Sequence, residues 1–484
     1  MTSNNNIFQE ILADIIPTAE ELYIINEIVE VTSVLLKNTA KELDIEYTII
    51  EPQGSTGIKQ TQLRNDFDID LFVGLSYKKF KHKYEGLSRN KLKKESKKDF
   101  LKLCHKWIIK SLTLKEFSEP RLLYAEHPYV TVDFVDQDKE IKVKLDIVLY
   151  FDLPLEYIKK YGPVTAVDRS PWHGRFVRDN LNKNQKDDVR LLKQFFKSCH
   201  SYGDKSAVGK IGFIGYSAEL LIYQFKNIHK VFKNFNSLPE TPLDYHGRNL
   251  QELKKIEHFK NEYLIITDPV DSNRNVGSAI SERAYKYCNQ KIHDFLNNPS
   301  REFFKIKSIP EVDLSDLDFF FVIETINNNP EVHYTINRDK LHALGEKIKS
   351  NGEKEFSHEE RFGTIEFEVY FEDENNEYTM SLYCEKPVIS ESYLRKGPPI
   401  KEKAHVSKFK QKNPNCVEKD NFLWSESKRK YVDFLVFLQD FVRDNIPDNL
   451  GIVNISKASE TKNSTGKKAL YVLKNMVLPF IKTT

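Results

Sequence analysis

The chain has 484 residues, enough for about three domains, and its 40% hydrophobic and 30% charged residues are typical of a globular protein. A net charge of only +2 excludes an overall basic field for nucleic acid, so any such surface must be local. The five cysteines are odd in number and far apart, which excludes a disulfide framework and paired C-x-x-C metal ligands. Because the N-terminus lacks a signal-peptide pattern and no run approaches ~20 apolar residues, we expect a cytoplasmic protein without a membrane span.

The first third of the chain is predicted to alternate helices with strands. Apolar residues at helical spacing predict helices over residues 7–44, and YTIIEPQ (Tyr47 to Gln53) predicts a strand. A polar loop leads into a second strand, DIDLFVGL, and then into a very basic helical stretch from Lys78 to Lys110. Two further strands are predicted in RLLYAEHPYVTVDFV (121–135) and KEIKVKLDIVLYF (139–151).

The rest of the chain is predicted to be helical at first and mixed afterwards. Helical spacing dominates from residues 165 to 295, for example in KDDVRLLKQFFKSC and FIGYSAELLIYQF. SDLDFFFVIETI then predicts a strand, RDKLHALGEKIKS a helix, and RFGTIEFEVYF with EYTMSLYCEK a hairpin around residues 373–376. Residues 395–412, RKGPPIKEKAHVSKFKQK, are basic and contain a Pro-Pro pair, which predicts a loop or domain edge.

Two of the predicted strands carry aspartates on their polar faces. Because a strand alternates its faces, Asp68 and Asp70 project to one side of DIDLFVGL and its apolar residues to the other. In KEIKVKLDIVLYF, Asp146 shares a face with Lys142 and Lys144. Adjacent carboxylates repel each other unless a cation lies between them, and Mg²⁺ prefers carboxylate oxygens together with substrate phosphates. The pattern predicts a phosphate-handling metal site, although a lone D-x-D is also common in exposed polar strand edges.

The three aspartates beside a Gly-Ser turn predict nucleotidyl transfer. Two metal ions about 4 Å apart can be bridged by Asp68 and Asp70, with Asp146 as a further ligand of the ion that activates an attacking 3′-hydroxyl. The second ion would hold the triphosphate and the departing pyrophosphate. Gly54 lets the backbone approach phosphate, and the Ser55 hydroxyl and N–H can donate to phosphate oxygens.

The order of a Gly-Ser turn, D-I-D on a strand and a distant single aspartate resembles the polymerase-β-like nucleotidyltransferase superfamily. Further motifs follow in the order found in archaeal, class I CCA-adding enzymes: AEHPYV, TAVDRSPWH, DVRLLKQFFK with SYG, GFIGYSAELL and DPVDSNRNV. The likeness is strong over residues 45–305 and weaker beyond. It implies an α+β protein with a catalytic head domain over 1–164, a helical neck domain over 165–295 and an α/β, tRNA-binding body and tail over 296–484.

The resemblance implies addition of C, C and A to the tRNA 3′ end from CTP and ATP, without a nucleic-acid template and with two Mg²⁺ ions. The expected partners are the two nucleotides and tRNA, which would be bound at its acceptor stem and TψC arm. Whether the protein forms a homodimer is left open. The residues that match family positions are the metal-binding carboxylates Asp68, Asp70 and Asp146, the phosphate-contacting Gly54 and Ser55, the triphosphate and sugar contacts His173, Lys193 and Tyr202, and the base-reading Arg274. Glu126 and His127 lie in the motif expected near the primer terminus. Arg395 and Lys396 lie in the basic segment 395–412, which is expected to contact tRNA because the C-terminal parts of this family grip the acceptor and TψC stem.

The sequence departs from the family pattern in its central motif, which usually reads R-G-F-S-G-Y. Here Ile211 and Ile214 replace the arginine and the serine, which puts a phosphate or structural contact in question but not the catalytic centre. Gln62 also stands where an aromatic residue commonly follows the loop threonine, Thr61.

Two other functions stay open from the sequence. A poly(A) polymerase, or an oligoadenylate or cyclic-nucleotide synthase, shares the Gly-Ser turn and the three aspartates, but the DPVDSNRNV segment and the mixed C-terminal half disfavour it. A non-catalytic RNA-binding protein with an inactive polymerase site is disfavoured because all three carboxylates are present.

Overall fold

The computed structural model describes residues 2–124, 127–136, 141–329, 332–356, 359–372 and 376–481. The chain divides into two compact units, of which the first comprises Met1–Gly203 and Gly212–Ile306 and the second Asp204–Ile211 and Lys307–Thr484. Apart from Asp204–Ile211, the residues of the predicted head and neck domains are in the first unit, and the boundary between these two domains stays a prediction. Across the described ranges, none of the helices combines the length and the apolar character that a membrane crossing needs.

A five-stranded mixed sheet forms the part of the first unit that carries the predicted carboxylates. Its strands are β1 (Ile49–Gln53), β2 (Ile69–Leu75), β3 (Arg121–Tyr124), β4 (Pro128–Asp136) and β5 (Ile141–Phe151). Their order is β1-β2-β5-β4-β3, with β2 and β5 parallel and every other pair antiparallel. As predicted, Val143, Leu145, Ile147 and Leu149 alternate along β5 into the apolar core. The polar face of β5 is therefore left for Asp146.

Helices at the start of the chain and after β2 surround this sheet; α1 packs against the helical core instead, and the others pack on the apolar face of the sheet. They are α1 (Thr2–Ile15), α2 (Ala19–Glu42), α3 (Tyr77–Tyr84), α4 (Arg89–Leu103) and α5 (Ile109–Ser111), with a π-helical turn over Cys104–Ile108. A capping box between Thr18 and Glu21 begins α2, whose Ile25, Ile28 and Leu36 reach the core. The predicted helices over 7–44 and 78–110 are confirmed, each interrupted once by a turn.

The remainder of the first unit is helical, as predicted, and is built around aromatic side chains. Its helices are α6 (Leu155–Tyr161), α7 (Ser170–Asn180), α8 (Lys183–Ser198), α9 (Gly215–Phe225), α10 (Ile228–Asn234), α11 (Leu250–Lys254) and α12 (Glu282–Asn297). Phe195 of α8 lies 4.9 Å from Phe232 and 6.4 Å from Phe295, ring centre to ring centre, so three helices meet at one buried cluster. This packing fixes α8, which carries the predicted nucleotide contact Lys193.

The second unit contains two antiparallel sheets and four α-helices among its described residues. Its elements are β6 (Phe320–Asn327), α13 (Tyr334–Glu353), β7 (Ile365–Phe371), β8 (Glu377–Cys384), β9 (Ser392–Pro399), α14 (Lys403–Lys412), β10 (Val417–Lys419), β11 (Phe422–Lys428), α15 (Phe434–Asn445), β12 (Leu450–Lys457) and α16 (Ser464–Tyr471). The sheet orders are β12-β6-β8-β7 and β10-β11-β9. The predicted strand, helix and hairpin are confirmed as β6, α13 and β7–β8, whose turn residues 373–375 lie outside the described residues.

Two predicted elements differ from the structure. The single strand predicted over 121–135 is the antiparallel pair β3 and β4, with Tyr124 opposite Pro128 and residues 125–126 outside the described ranges. The loop predicted over 395–412 is wrong, because this segment forms the second half of β9 and then α14. The Pro-Pro pair is compatible with a strand because β9 is at the edge of its sheet, where a missing ladder donor is tolerated.

Candidate active site

The parallel pairing of β2 with β5 brings two of the predicted carboxylates together. Asp70 and Asp146 are direct partners in the strand register, so their side chains leave the sheet on the same face. The sequence predicts Asp68 on the same strand as Asp70, but β2 begins one residue later at Ile69. The Asp68 side chain is 57% exposed, against 14% for Asp146. The carboxylates therefore differ in exposure to solvent, with Asp68 the most exposed.

The charges of this cluster oppose one another. Burial, then the charges of Asp146 and Asp68, raise the pKa of Asp70 to about 6, although Lys144 and Lys59 act in the other direction. Lys144 lies on the same face, with its Nζ 2.8 Å from Oδ2 of Asp146 and 3.7 Å from Oδ2 of Asp68. An ammonium group thus supplies positive charge between two of the carboxylates.

The residues present fit a divalent metal ion. Oδ1 of Asp146 is buried and has no hydrogen-bond partner, which makes it an available oxygen ligand. All the donors are carboxylate oxygens, the type that Mg²⁺ prefers. Among the described residues, no three His, Cys, Asp or Glu side chains are arranged as a metal-binding group in this structure. The carboxylates of Asp68 and Asp146 instead contact the Lys144 ammonium group.

The Gly54 turn presses directly against the carboxylates. Gly54 has φ +68°, and a Cβ atom there would lie 2.1 Å from Oδ2 of Asp70. Backbone hydrogen bonds from Thr61 N to Ser55 O (2.8 Å) and from Gly57 N to Gln53 O (3.0 Å) close the loop. The Thr56 hydroxyl donates to the Asp68 carbonyl at 2.6 Å. Gly54 and Ser55 are therefore beside the D-x-D motif, as predicted.

A buried acid holds two lysines beside this turn. Glu219 Oε2 lies 2.8 Å from Nζ of Lys59, and its Oε1 lies 3.8 Å from Nζ of Lys193 and accepts a 2.7 Å bond from the Thr61 hydroxyl. Burial lowers the pKa of Lys193 to about 8, with Glu219 opposing. Although burial favours the neutral acid, Lys59 and Lys193 hold the pKa of Glu219 below its usual value. Because one carboxylate faces two lysines, the group keeps positive charge that can attract a phosphate.

The Tyr202 hydroxyl lies close to the Lys193 ammonium group. A Cβ atom on Gly215, at the start of α9, would lie 3.2 Å from the Tyr202 hydroxyl and 3.4 Å from Nζ of Lys193. Burial raises the pKa of the Tyr202 phenol, so the hydroxyl remains a hydrogen-bond donor at neutral pH. The structure thus brings Lys193 and Tyr202 together, as the resemblance implied.

A second buried acid joins the predicted triphosphate and base contacts. Asp268 Oδ2 lies 2.7 Å from Nε2 of His173 and accepts a 2.9 Å bond from Nη1 of Arg274, while its Oδ1 accepts a 3.2 Å bond from Tyr216. Burial opposes ionisation of Asp268, but His173 and Arg274 hold its pKa well below the usual range. The His173 ring stacks on Tyr216 at 4.3 Å. His173 and Arg274, far apart in sequence, are thus neighbours.

A cleft of about 620 Å³ opens beside this group, within the size range of small-molecule sites. Arg274 lines it together with Lys160 and Arg169, and the Arg169 guanidinium is 2.9 Å from Asp271. Ile214, which replaces the usual serine, also lines the cleft and packs partly against the helical core. The substitution adds apolar surface to the cleft and removes a hydroxyl.

The four predicted tRNA contacts have different surroundings. Glu126 lies outside the described residues. His127 is buried, and its Nε2 donates a 2.6 Å hydrogen bond to the Leu149 carbonyl, while burial lowers its pKa to about 4. It is therefore neutral at neutral pH and cannot attract phosphate by charge. In the second unit, Arg395 lies over the Phe356 ring (4.2 Å) and Lys396 over the Phe422 ring (3.7 Å).

Sequence reasoning misses the acids that organise the site. Glu219 is the one charged residue of α9, and a single acid in an otherwise uncharged helix is the available signal. Asp268 opens the DPVDSNRNV motif, from which only Arg274 is predicted as a contact. Lys59 and Lys144 have no distinguishing local pattern. The contacts of Lys59 with Glu219 and of Lys144 with Asp68 join distant segments, so the sequence alone could not assign them.

Known proteins resemble this chain over most of its length. Residues 187–305 match the family model of the tRNA nucleotidyltransferase second domain. A CCA-adding enzyme from Saccharolobus islandicus strain Y.G.57.14 is 32% identical over 429 residues, 88% of this chain and 90% of that protein. Another from Methanococcus maripaludis strain C5 is 29% identical over 91% of this chain and 92% of its own. A solved cytoplasmic RNA terminal U-transferase aligns with TM-score 0.46 and 12% identity over 64% of this chain and 100% of its own.

The direct pairing of Asp70 with Asp146 behind a glycine turn puts this protein in the class of nucleotidyltransferases. Within that class, the sequence is more than 30% identical to an archaeal CCA-adding enzyme over nine tenths of that enzyme's length, which identifies the family. The chain belongs to the family of CCA-adding enzymes, which are tRNA nucleotidyltransferases. The resemblance drawn from the sequence motifs and the mixed α+β fold are both confirmed.

Replacement of Gly54 by Ala is expected to abolish most catalysis at a small cost in stability. The new Cβ would displace the Asp70 carboxylate, and a misplacement of about 1 Å can reduce a rate by ~10²-fold. The positive φ adds about 1–2 kcal/mol of strain. Nucleotide incorporation and urea unfolding should be measured together.

Gly86→Ala is the matched control, because Gly86 has φ +74° but no atom within 4 Å of the position that a Cβ would take. It should show a similar loss of stability with normal catalysis. Equal rates for the two variants would mean that the approach of Gly54 to Asp70 has no catalytic role.

Proposed function

We propose that this enzyme adds C, C and A to the 3′ end of tRNA, from CTP and ATP and without a nucleic-acid template, in the cytoplasm. In each step the primer 3′-oxygen forms a bond to the α-phosphorus while the bond to pyrophosphate breaks. The pairing of Asp70 with Asp146 beside the Gly54 turn is the observation that carries this proposal. The names of the archaeal relatives support tRNA as the acceptor.

Asp68, Asp70 and Asp146 would hold two Mg²⁺ ions. When bound, such ions lower the pKa of the attacking hydroxyl and stabilise the charge of the leaving pyrophosphate. The carboxylates are suited to this because two are partly buried and mutually repelling, and Oδ1 of Asp146 has no protein partner. The Gly54 turn keeps backbone within reach of phosphate oxygens.

The buried lysine pair would bind the triphosphate. Lys59 and Lys193 share Glu219, so each retains attraction for a phosphate group. Tyr202 can donate its hydroxyl hydrogen beside Lys193. His173 has a pKa lowered by burial and is fixed by Asp268, so it can contact phosphate or sugar by hydrogen bonding.

Arg274 would select the base. C and A share an exocyclic amine beside a ring-nitrogen acceptor, whereas U and G present a carbonyl beside an N–H. A guanidinium only donates, so it can meet the acceptor of C or A and opposes the N–H of U or G. Asp268 holds Arg274 through Nη1, which fixes the plane of the group at the edge of the cleft.

The basic residues on β9 and α14 would hold tRNA phosphates. Arg395 and Lys396 are on the edge strand, and Lys403 and Lys408 are exposed on α14. Lys410 is instead paired with Glu418 at 2.9 Å. The exposed cations are available for a polyanion, and phosphate contacts dominate the affinity of most nucleic-acid complexes.

The proposal predicts ordered incorporation that depends on Asp70. Given labelled CTP and ATP, the enzyme should add two C and one A to tRNA that lacks its last three nucleotides. Asp70→Asn keeps the side-chain volume but removes the charge, so we expect a rate loss of at least ~10³-fold with tRNA binding retained. Asp179→Asn, an exposed aspartate paired with Arg178, is the control and should be unaffected.

Other outcomes identify the alternatives. Homopolymeric A would indicate a poly(A) polymerase or oligoadenylate synthase, and binding without incorporation a non-catalytic RNA-binding protein. Near-normal turnover by Asp70→Asn would remove Asp70 from the metal site.

The second prediction concerns nucleotide choice. Arg274→Ala should lower kcat/KM for CTP and ATP and relax discrimination against UTP, because the donor that opposes the N–H of U is gone. All four nucleotides should be compared on tRNA that ends before the first C. Arg178→Ala serves as a control with the same charge change on an exposed site. An unchanged preference for CTP over UTP would exclude Arg274 from selection.

The third prediction concerns the tRNA grip. Lys403→Ala combined with Lys408→Ala should weaken tRNA binding and reduce the salt dependence of log Kd by about 1–2. Lys37→Ala with Lys41→Ala, two exposed lysines on α2, provides the matched control. If both double variants give the wild-type salt slope, α14 does not contact tRNA phosphates.

A further inference from the structure

Lys144 has an unusual position for a lysine on a sheet surface. It precedes Asp146 by two residues on β5, so both side chains are on the same face. Its Nζ is 2.8 Å from Oδ2 of Asp146 and 3.7 Å from Oδ2 of Asp68. The ammonium group therefore joins the exposed carboxylate of Asp68 to the more enclosed carboxylate of Asp146 across the mouth of the site.

The neighbouring lysine shows that this contact is specific to Lys144. Asp133 of β4 is the direct register partner of Lys144 and would be its nearest acid on a simple sheet face. The Asp133 carboxylate instead lies 3.3 Å from Nζ of Lys142. Lys142 is 69% exposed at its side chain, whereas Lys144 is 38% exposed. Lys142 therefore pairs with Asp133, whereas Lys144 pairs with Asp68 and Asp146 of the proposed catalytic cluster.

We propose that Lys144 is an internal counter-ion that holds Asp68 and Asp146 before a divalent cation binds and is displaced when the cation arrives. This inference rests on the proposed metal role of the carboxylates. A divalent ion held by these carboxylates would bring positive charge beside the ammonium, which already contacts Asp68 and Asp146, so the two cations repel each other and compete for the same carboxylate charge. At equal distance the divalent ion is attracted twice as strongly, and it therefore replaces the ammonium at a cost in affinity.

The competition couples the cation to the nucleotide. A triphosphate supplies further oxygen ligands and negative charge, which favour the divalent ion over Lys144. Because such coupling is reciprocal, each ligand strengthens binding of the other by the same factor. Lys144 would therefore keep the site weak for free cations and make cation entry depend on the nucleotide.

The test measures Mn²⁺ binding to the full-length enzyme by isothermal titration calorimetry, with and without CTP and in the absence of tRNA. Lys144→Met keeps the apolar stem and removes the charge. We expect it to bind Mn²⁺ without CTP at least ~10-fold more tightly than wild type, equivalent to ~1.4 kcal/mol. CTP should then strengthen Mn²⁺ binding less than it does in wild type. Lys142→Met, the matched control, should behave as wild type.

Three results would overturn the proposal in distinguishable ways. Equal or weaker Mn²⁺ binding by Lys144→Met, with Asp146→Asn losing binding, would refute the counter-ion role and leave the metal site intact. Failure of every variant and of wild type to bind Mn²⁺ with CTP would refute the metal role itself. An equal gain in Lys142→Met would assign the effect to general charge. If Lys144→Met does not fold, Lys144→Gln is used, with the same expected tightening.

Discussion

Repulsion between carboxylates on two paired strands is the constraint on which the rest of the active site depends. The parallel register of β2 and β5 puts Asp70 opposite Asp146, and partial burial gives their charges little screening by water. Such a pair needs nearby positive charge, which Lys144 and Lys59 supply within the chain. The same electrostatic demand makes the cluster a good ligand set for a divalent cation. The feature that destabilises the isolated site is thus the one that equips it for phosphoryl chemistry.

Two buried acids extend this arrangement to the predicted nucleotide contacts. Glu219 organises Lys59 and Lys193, and Asp268 organises His173 and Arg274. Long cationic side chains lose conformational freedom when they bind a ligand, and prior fixation by a buried acid reduces that loss. The acids come from α9 and from the segment after α11, which the aromatic core holds against α8. Packing in the helical part therefore determines the geometry around the sheet.

Local pattern is enough to predict part of this site. The alternation along β5 identifies both its apolar face and the polar position of Asp146, because a strand repeats every two residues. The Gly-Ser turn and D-x-D are also evident directly, since they are contiguous. The ordered motifs then lead to Lys193 and Tyr202, which the fold brings together, and to Arg274, which it brings beside His173.

Contacts between distant segments could not be predicted in this way. The bond from Thr61 to Glu219 and that from His173 to Asp268 join residues far apart in sequence, and periodicity carries no information about such pairs. His127 falls in a recognised motif, yet its burial against the Leu149 carbonyl follows from the pairing of β4 with β5. The strand at 392–399 escapes prediction because a Pro-Pro pair signals a break unless the strand is known to be an edge.

The most direct test of the central claim is a crystal structure of this protein with Mn²⁺ and CTP, using anomalous scattering to locate the metal. The account predicts manganese coordinated by carboxylate oxygens of Asp68, Asp70 and Asp146 and by the triphosphate, with the Lys144 ammonium moved away from Asp146. Manganese bound by the triphosphate alone, with all three aspartates outside coordination distance, would contradict it.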